Sequence, residues 1–327
     1  MHKWVLFTKF TSRNYTQSKF MFSTHFKSAI DLVRAFPNEE TCIKYLETII
    51  WDGQPVSPYD ADSKVYTLKD GRYKCKNTGK KFNVRTGTMY HSSKINLQTW
   101  FLAIWMVTTH KKGIASTQLA EQLNVTQKTA WFMLQRIRAC FGVENYNELD
   151  GIVSADETFY GGKNKNRHNN KKAKKCKGRT WTDKVPIVGM IQRGGKITVI
   201  VTKDTSGDTL QPLIERYVSK DSVLITDDWS GYYGAKKHCE HRIIKDISKG
   251  YKHDYDPETH TNDIEGAWKI FKNSSRDMYN HVSRKHIQFY VDEFVYRYNM
   301  RKHDNSDKFN WLQYNSGVRT TYKSLTA

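Results

Sequence analysis

The sequence predicts an α/β protein: a mixed five-stranded sheet with helices, preceded by a small β-ribbon and a helix-turn-helix. Three observations carry the prediction. The second half of the 327-residue chain alternates apolar strands with amphipathic helices in the order βββαβαβα. Residues 65–84 break into short β-like pieces separated by Asp70-Gly71 and Asn77-Thr78-Gly79. Between these regions, two short helical patterns are joined by the tight turn Asn124-Val125.

From the N-terminus, Thr24 to Ile50 reads as one or two helices. Phe26, Ile30, Leu32, Val33 and Phe36 precede Pro37, and Cys42, Ile43, Leu46 and Ile49 follow it at helical spacing. Trp51 to Lys64 is rich in turn residues. The ribbon then runs through Val65–Leu68, Arg72–Cys75 and Lys81–Val84. Leu97 to Thr109 is helical, stopped by Lys111-Lys112-Gly113. Ser116 or Thr117 can cap a helix carrying Leu119, Ala120 and Leu123, and Thr126 a second with Ala130, Met133, Leu134 and Ile137 on one face. In a helix-turn-helix the second helix presents exposed side chains to a major groove. Here those are Gln127, Lys128, Thr129, Gln135 and Arg136. An ordinary helical hairpin is the plainer alternative, and the basic second helix favours DNA.

In the second half, Gly151 to Asp156 is a strand ending on an acid. Lys184 to Arg193 and Lys196 to Lys203 form a hairpin about Gly194-Gly195, and Asp208 to Val218 is an amphipathic helix. Ser222 to Thr226 is a buried strand running into Asp227-Asp228. A helix containing Tyr232 and Tyr233, the strand Arg242–Ile244, and helices over about Thr261–Lys272 and Ser283–Arg301 complete the set. This order is that of the ribonuclease-H-like fold, in which the first strand pairs parallel with the fourth and their ends become neighbours. The domains expected are a basic, disordered leader over 1–23, helices and ribbon over 24–94, the helix-turn-helix region over 95–145, the catalytic domain over 150–303 and a tail over 304–327.

Phosphodiester chemistry with two Mg²⁺ ions needs a few carboxylates converging from different elements. Asp156 and Asp227 end strands that this fold makes adjacent, and Glu265 is the best third acid. On a helix Asn262, Glu265, Lys269 and Lys272 share one face, with Trp268 and Phe271 packing elsewhere. Lys272 suits a scissile or flanking phosphate. For each acid alone, a solvated surface carboxylate is the ordinary alternative.

Charge agrees with a polyanionic partner. Lys and Arg number 53 against 33 Asp and Glu, a net +20, and such an excess gains affinity for phosphates by counterion release. Both halves share it: residues 1–150 carry 21 basic and 12 acidic side chains, residues 151–327 carry 32 and 21. Gly161 to Lys177 holds Lys163, Lys165, Lys171, Lys172, Lys174 and Lys175 among its eight cations and no acid; a solvated loop is the plainer alternative, and its start a few residues beyond Asp156 favours DNA contact. The five cysteines lie at least 33 residues apart, so no disulfide framework or Cys-x-x-Cys clip is written, and a reducing compartment fits best. The longest clean apolar run, Phe101 to Val107, is seven residues, where a bilayer span takes about 20. The first thirty residues have no acid and five cations, like a transit peptide, although a dispensable leader ahead of Met21 is the simpler reading.

The motifs Ala155-Asp-Glu-Thr-Phe-Tyr-Gly-Gly-Lys163, Thr226-Asp-Asp-Trp-Ser-Gly-Tyr232 and His260-Thr-Asn-Asp-Ile-Glu-Gly-Ala-Trp268, followed by Asn280–His286 and Asp292–Asn299, resemble the ISXO-like branch of bacterial insertion-sequence transposases. The resemblance covers roughly residues 40 to 303. It implies a DDE domain in which Asp156, Asp227 and Glu265 bind two Mg²⁺ or Mn²⁺ ions and Lys272 follows the glutamate. Some members carry Asn as the third residue, which leaves Asn262 as partner or substitute. The family's zinc ribbon has two Cys pairs; here the matching Val56–Asp60 and Tyr73–Thr78 retain only Cys75, so zinc is not expected. Trp51, Tyr59, Tyr66, Tyr73 and Phe82 are expected to hold the ribbon instead.

The function implied is transposition: binding of terminal inverted repeats and target DNA by a homodimer or larger assembly in the bacterial cytoplasm, with metal-dependent cleavage and strand transfer. The alternatives are a ribonuclease-H-like nuclease without strand transfer and a helix-turn-helix regulator with an inactive catalytic domain.

Overall fold

A computed structural model describes residues 25–145, 147–161, 168–172, 184–244, 259–280 and 282–327. They fall into two compact units, one of residues up to Cys140 together with Lys302–Ala327, the other Phe141–Arg301.

In the first unit Pro37 resolves the opening pattern into two helices, α1 (Ala29–Ala35) and α2 (Glu39–Trp51). Phe36, the residue before the proline, leaves the helical region at φ −122°, ψ 67°, as the proline ring requires. Ser28 and Asp31 cap α1 reciprocally and Asn38 caps α2. The ribbon is an antiparallel sheet of β1 (Val65–Thr67), β2 (Tyr73–Cys75) and β3 (Lys81–Phe82). Trp51 meets Tyr73 and Phe82 edge-on at 5.4 and 5.9 Å, and Tyr59 meets Phe82 at 6.3 Å. Tyr66 does not join them: it is exposed, on the outer face of an edge strand, with the Lys64 ammonium 5.8 Å from its ring. The loops flanking the ribbon are stitched by hydrogen bonds. The buried Cys75 thiol donates to Ser63 Oγ at 3.2 Å, Ser63 Oγ also accepts from the Asn77 N–H at 3.0 Å, and Asn77 Nδ2 donates to Asp60 at 2.7 Å.

Helix α3 (Leu97–Thr109) follows, then α4 (Ser116–Leu123) and α5 (Gln127–Phe141). Ala115, not Ser116 or Thr117, sits at the α4 N-cap, without a side-chain bond. Asn124 takes the left-handed conformation at φ 51° that turns the chain between α4 and α5. Thr126 Oγ1 accepts from the Thr129 N–H at 3.2 Å, and Gln127 Nε2 donates to Ser116 Oγ at 2.8 Å, tying the two helices.

Residues 304–327, expected as a tail, are part of this unit's core. Helix α9 (Asn305–Tyr314) buries Phe309 and Leu312 completely, and Phe309 packs edge-on against Phe26 and Phe101 at 5.2 and 5.4 Å. The buried Asn310 and Gln313 accept hydrogen bonds from the Tyr45 and Tyr90 hydroxyls. A short α10 (Tyr322–Thr326) sets Tyr322 against Phe132 at 5.6 Å. The amides in α9 disguise a buried helix, because a polar residue inside a core is read as exposed until its partner is known.

The second unit is a five-stranded sheet in the order β6-β5-β4-β7-β8, of β4 (Ile152–Tyr160), β5 (Val185–Gln192), β6 (Ile197–Val201), β7 (Val223–Asp227) and β8 (Glu240–Ile244). The first three strands pair antiparallel, and β4–β7 and β7–β8 pair parallel. This is the predicted ribonuclease-H-like order. One face carries α6 (Gly207–Tyr217) and a 3₁₀ segment (Ser230–Lys237) over Val153, Ala155, Val188, Met190 and Leu224. The other carries α7 (Asn262–Ser274) and α8 (Ile287–Asn299) over Ile187, Ile191, Ile197 and Val199. The alternation of these sets along β5 and β6 is the period-two pattern of strands buried on both sides.

Replacing Phe309 by Ala should lower the stability of the N-terminal unit by about 3–5 kcal/mol, measured by denaturant unfolding. A change below about 0.5 kcal/mol, as at an exposed position, would contradict the packing of α9.

Candidate active site

Asp156 lies within β4 rather than at its end. The antiparallel ladder with β5 runs on to Tyr160↔Val185, and Asp156 faces Gly189. The parallel ladder with β7 ends earlier, at Ser154↔Ile225, and the same register carried two residues further sets Asp227 opposite Asp156. The sheet therefore opens between β4 and β7 at the two aspartates. Alternation sends Asp156 toward the face covered by α7 and Glu157 toward the face covered by α6 and the 3₁₀ segment.

Each acid is held locally. Trp268 of α7, only 2% exposed, donates its indole N–H to Asp156 Oδ2 at 3.0 Å. On the opposite face, the buried Tyr232 hydroxyl donates to Glu157 Oε2 at 2.9 Å. Asp227 Oδ1 accepts from the Trp229 N–H at 3.2 Å, an Asx-type turn that fixes the carboxylate where β7 ends. Glu265 sits in the first turn of α7, where the helix dipole favours an anion.

Burial pushes the Asp156 carboxyl well above its usual range, and the negative charges of Glu157, Glu265 and Asp227 push it further. Asp156 is thus close enough to Asp227 and Glu265 to feel the charge of each. Their hard oxygen donors suit Mg²⁺ or Mn²⁺. Among the described residues no three His, Cys, Asp or Glu side chains already close round one point, so an ion here would also draw on water and phosphate oxygens, as Mg²⁺ usually does. Of the remaining candidates on α7, Asn262 and Lys272 are exposed, on the side away from buried Ile264, Ala267 and Phe271.

The expected DNA-contacting residues separate into groups. Gln127 and Lys128 are exposed at the start of α5, Thr129 is half-buried, and the Lys128 ammonium lies 5.0 Å from the Tyr322 ring. Gln135 and Arg136 are buried, a correction to their expected exposure. Arg136 donates to Met89 O at 3.0 Å and its guanidinium lies 4.3 Å over the Phe132 ring, and the run Met133 to Arg138 is buried. Lys172 is exposed beside a 3₁₀ turn (Asn169–Lys171) and donates to Asn169 Oδ1 at 2.8 Å. Lys163, Lys165, Lys174 and Lys175 lie outside the described residues, as does the side chain of Lys171.

Sequence reasoning placed Trp268 as packing alone and passed over Glu157 and Tyr232. The signal for Trp268 was its i, i+3 spacing from Glu265, which keeps it near the same end of the helix.

A carboxyl whose folded pKa is raised binds its proton more tightly folded than unfolded. The penalty for ionising Asp156 is absent below the unfolded value and grows as pH rises through the folded one. Asp156→Asn, which keeps an acceptor for the indole, should raise the melting temperature of the metal-free protein at neutral pH. The gain should shrink toward zero in acid. A lower melting temperature at neutral pH would contradict the repulsion described.

Residues 148–299 match the family model described as the ISXO2-like transposase domain. An uncharacterized protein in transposable element ISH50 of Halobacterium salinarum is 26% identical over 168 residues, covering 49% of this chain. The match spans 56% of that relative's length. Among solved structures, a pre-cleavage Mos1 transpososome matches at 10% identity and TM-score 0.26, over 62% of this chain and 73% of that one. The Mos1 strand transfer complex matches at 12% identity and TM-score 0.28, over 64% and 75%. Scores this low leave the fold to the sheet order itself. Over residues 148–299 the chain is thus similar to the ISXO2-like transposase domain, and its sheet carries the strand order expected for that region.

Proposed function

We propose that the protein is the transposase of a bacterial insertion sequence, binding the terminal inverted repeats of its element and carrying out metal-dependent DNA cleavage followed by strand transfer. The observation that supports this best is the register that sets Asp227 opposite Asp156, with the charge of Glu265 acting on Asp156 from α7. Divalent ions bound there would activate the attacking hydroxyl and offset charge on the leaving oxygen. The chain's own task is to hold three carboxylates in a fixed relation while DNA is positioned across them. Glu265 is the third acid in this reading, because its charge reaches Asp156 whereas Asn262 faces outward. Lys272 and the Lys-rich segment around Lys172 serve the DNA backbone, and the start of α5, with Gln127, Lys128 and Thr129, serves the terminal repeats. Two ends must be brought together, which calls for a dimer or larger assembly.

Purified protein incubated with labelled terminal repeats, target plasmid and Mg²⁺ distinguishes the rivals. Joined products support transposition, cleavage alone a nuclease, and binding alone a regulator. Asp156→Asn or Asp227→Asn should cut both reactions by at least about 100-fold while sparing DNA binding; near-normal cleavage by either variant would overturn the site assignment.

The two halves of α5 should also differ. Lys128→Ala should weaken DNA binding and reduce the salt slope by about 1 with unchanged unfolding. Arg136→Ala should cost about 2 kcal/mol of stability, and its DNA affinity should fall only as far as the folded fraction does. Equal loss of affinity at matched folded fraction would return Arg136 to the DNA face.

A further inference from the structure

We infer that Trp268 is a positioning residue for the metal-binding carboxylate Asp156, and that Gly189 is the vacancy that lets it act. This rests on the proposed metal-dependent reaction. An indole N–H can only donate, so the 3.0 Å bond from Trp268 Nε1 fixes which oxygen of Asp156 is engaged and how the carboxylate is rotated. The ring reaches that oxygen by lying across the strand next to β4. Gly189 is the residue paired with Asp156 on β5. A Cβ there would stand 2.7 Å from Trp268 Cζ2 and Cη2 and 2.9 Å from Ile264 Cδ1, so any side chain at 189 would lift the indole and the first turns of α7 off the sheet. The same turns carry Glu265. One buried ring therefore sets both the rotation of Asp156 and the height of the helix bearing the third acid. Being neutral, it orients the carboxylate without cancelling the charge that would attract a cation.

The test uses the full chain and three variants, W268F, G189A and D156N. Mn²⁺ affinity is measured by electron paramagnetic resonance without DNA, alongside the Mg²⁺ dependence of cleavage, thermal unfolding and repeat binding. W268F keeps an aromatic ring, though a smaller one, and loses the donor. It should fold and bind DNA as wild type does, bind Mn²⁺ about 10- to 100-fold more weakly, and need correspondingly more Mg²⁺ for half-maximal cleavage, with activity recovering at saturating metal. G189A keeps the donor and displaces it, and should show the same shift in metal requirement. Wild-type Mn²⁺ affinity and Mg²⁺ dependence in W268F, beside an inactive D156N, would overturn the inference and leave the acid site standing. The same holds if W268F loses activity only in proportion to unfolding, with no change in metal requirement. Wild-type cleavage by D156N would remove the acid site and the inference together.

Discussion

Negative charge gathered at the middle of β4 is the condition to which the surrounding residues answer. Asp156 is half-buried and feels Glu157, Glu265 and Asp227. At low effective dielectric such neighbours repel strongly, and the arrangement persists because backbone pairing and packing place the acids irrespective of their charge. The β4–β5 ladder holds Asp156 from one side, the β7 turn at Trp229 holds Asp227, and the buried face of α7 holds Glu265.

Alternation along β4 divides labour between adjacent acids. Asp156 and Glu157 are neighbours in sequence but project to opposite faces. Asp156 meets α7 through Trp268, while the half-buried Glu157 accepts from Tyr232 on the face covered by α6. Burial raises the pKa of the Tyr232 hydroxyl well above its ordinary value, and the charges of Glu157 and Asp156 add to it, so it stays protonated and able to donate. Glu157 thus contributes to the repulsion at the site while its own hydrogen bond lies on the other side of the sheet.

Much of this was legible in the sequence where periodicity and chemistry coincide. Apolar strands flanked by turn residues placed β5, β6 and β7, and Trp268 and Phe271 marked the buried face of α7. Asp156 and Asp227 stood out as acids against apolar strands. What stayed illegible depended on partners remote in sequence. The length of β4 is set by β5, which keeps pairing as far as Tyr160. Gln135 and Arg136 read as exposed because they are polar, yet both are buried, Arg136 against the Met89 carbonyl and the Phe132 ring. The same ambiguity hid α9, whose Asn310 and Gln313 become core residues only once Tyr45 and Tyr90 are opposite them.

The two units illustrate when a cross-link needs charge. In the ribbon, where the family resemblance places zinc, hydroxyl, amide and thiol groups bridge the loops through Ser63, Asn77 and Asp60. Each of these donors and acceptors finds a local partner, as buried polar groups generally do. The acids of the second unit are a different problem. An indole N–H can orient Asp156 but carries no net charge with which to offset Glu265 and Asp227. A lysine or arginine in that place would quiet the repulsion, and would also occupy the carboxylate that a divalent ion requires. The indole of Trp268 leaves the charge of Asp156 uncancelled, and in the proposed reading that hard oxygen donor set is the kind a small divalent cation takes.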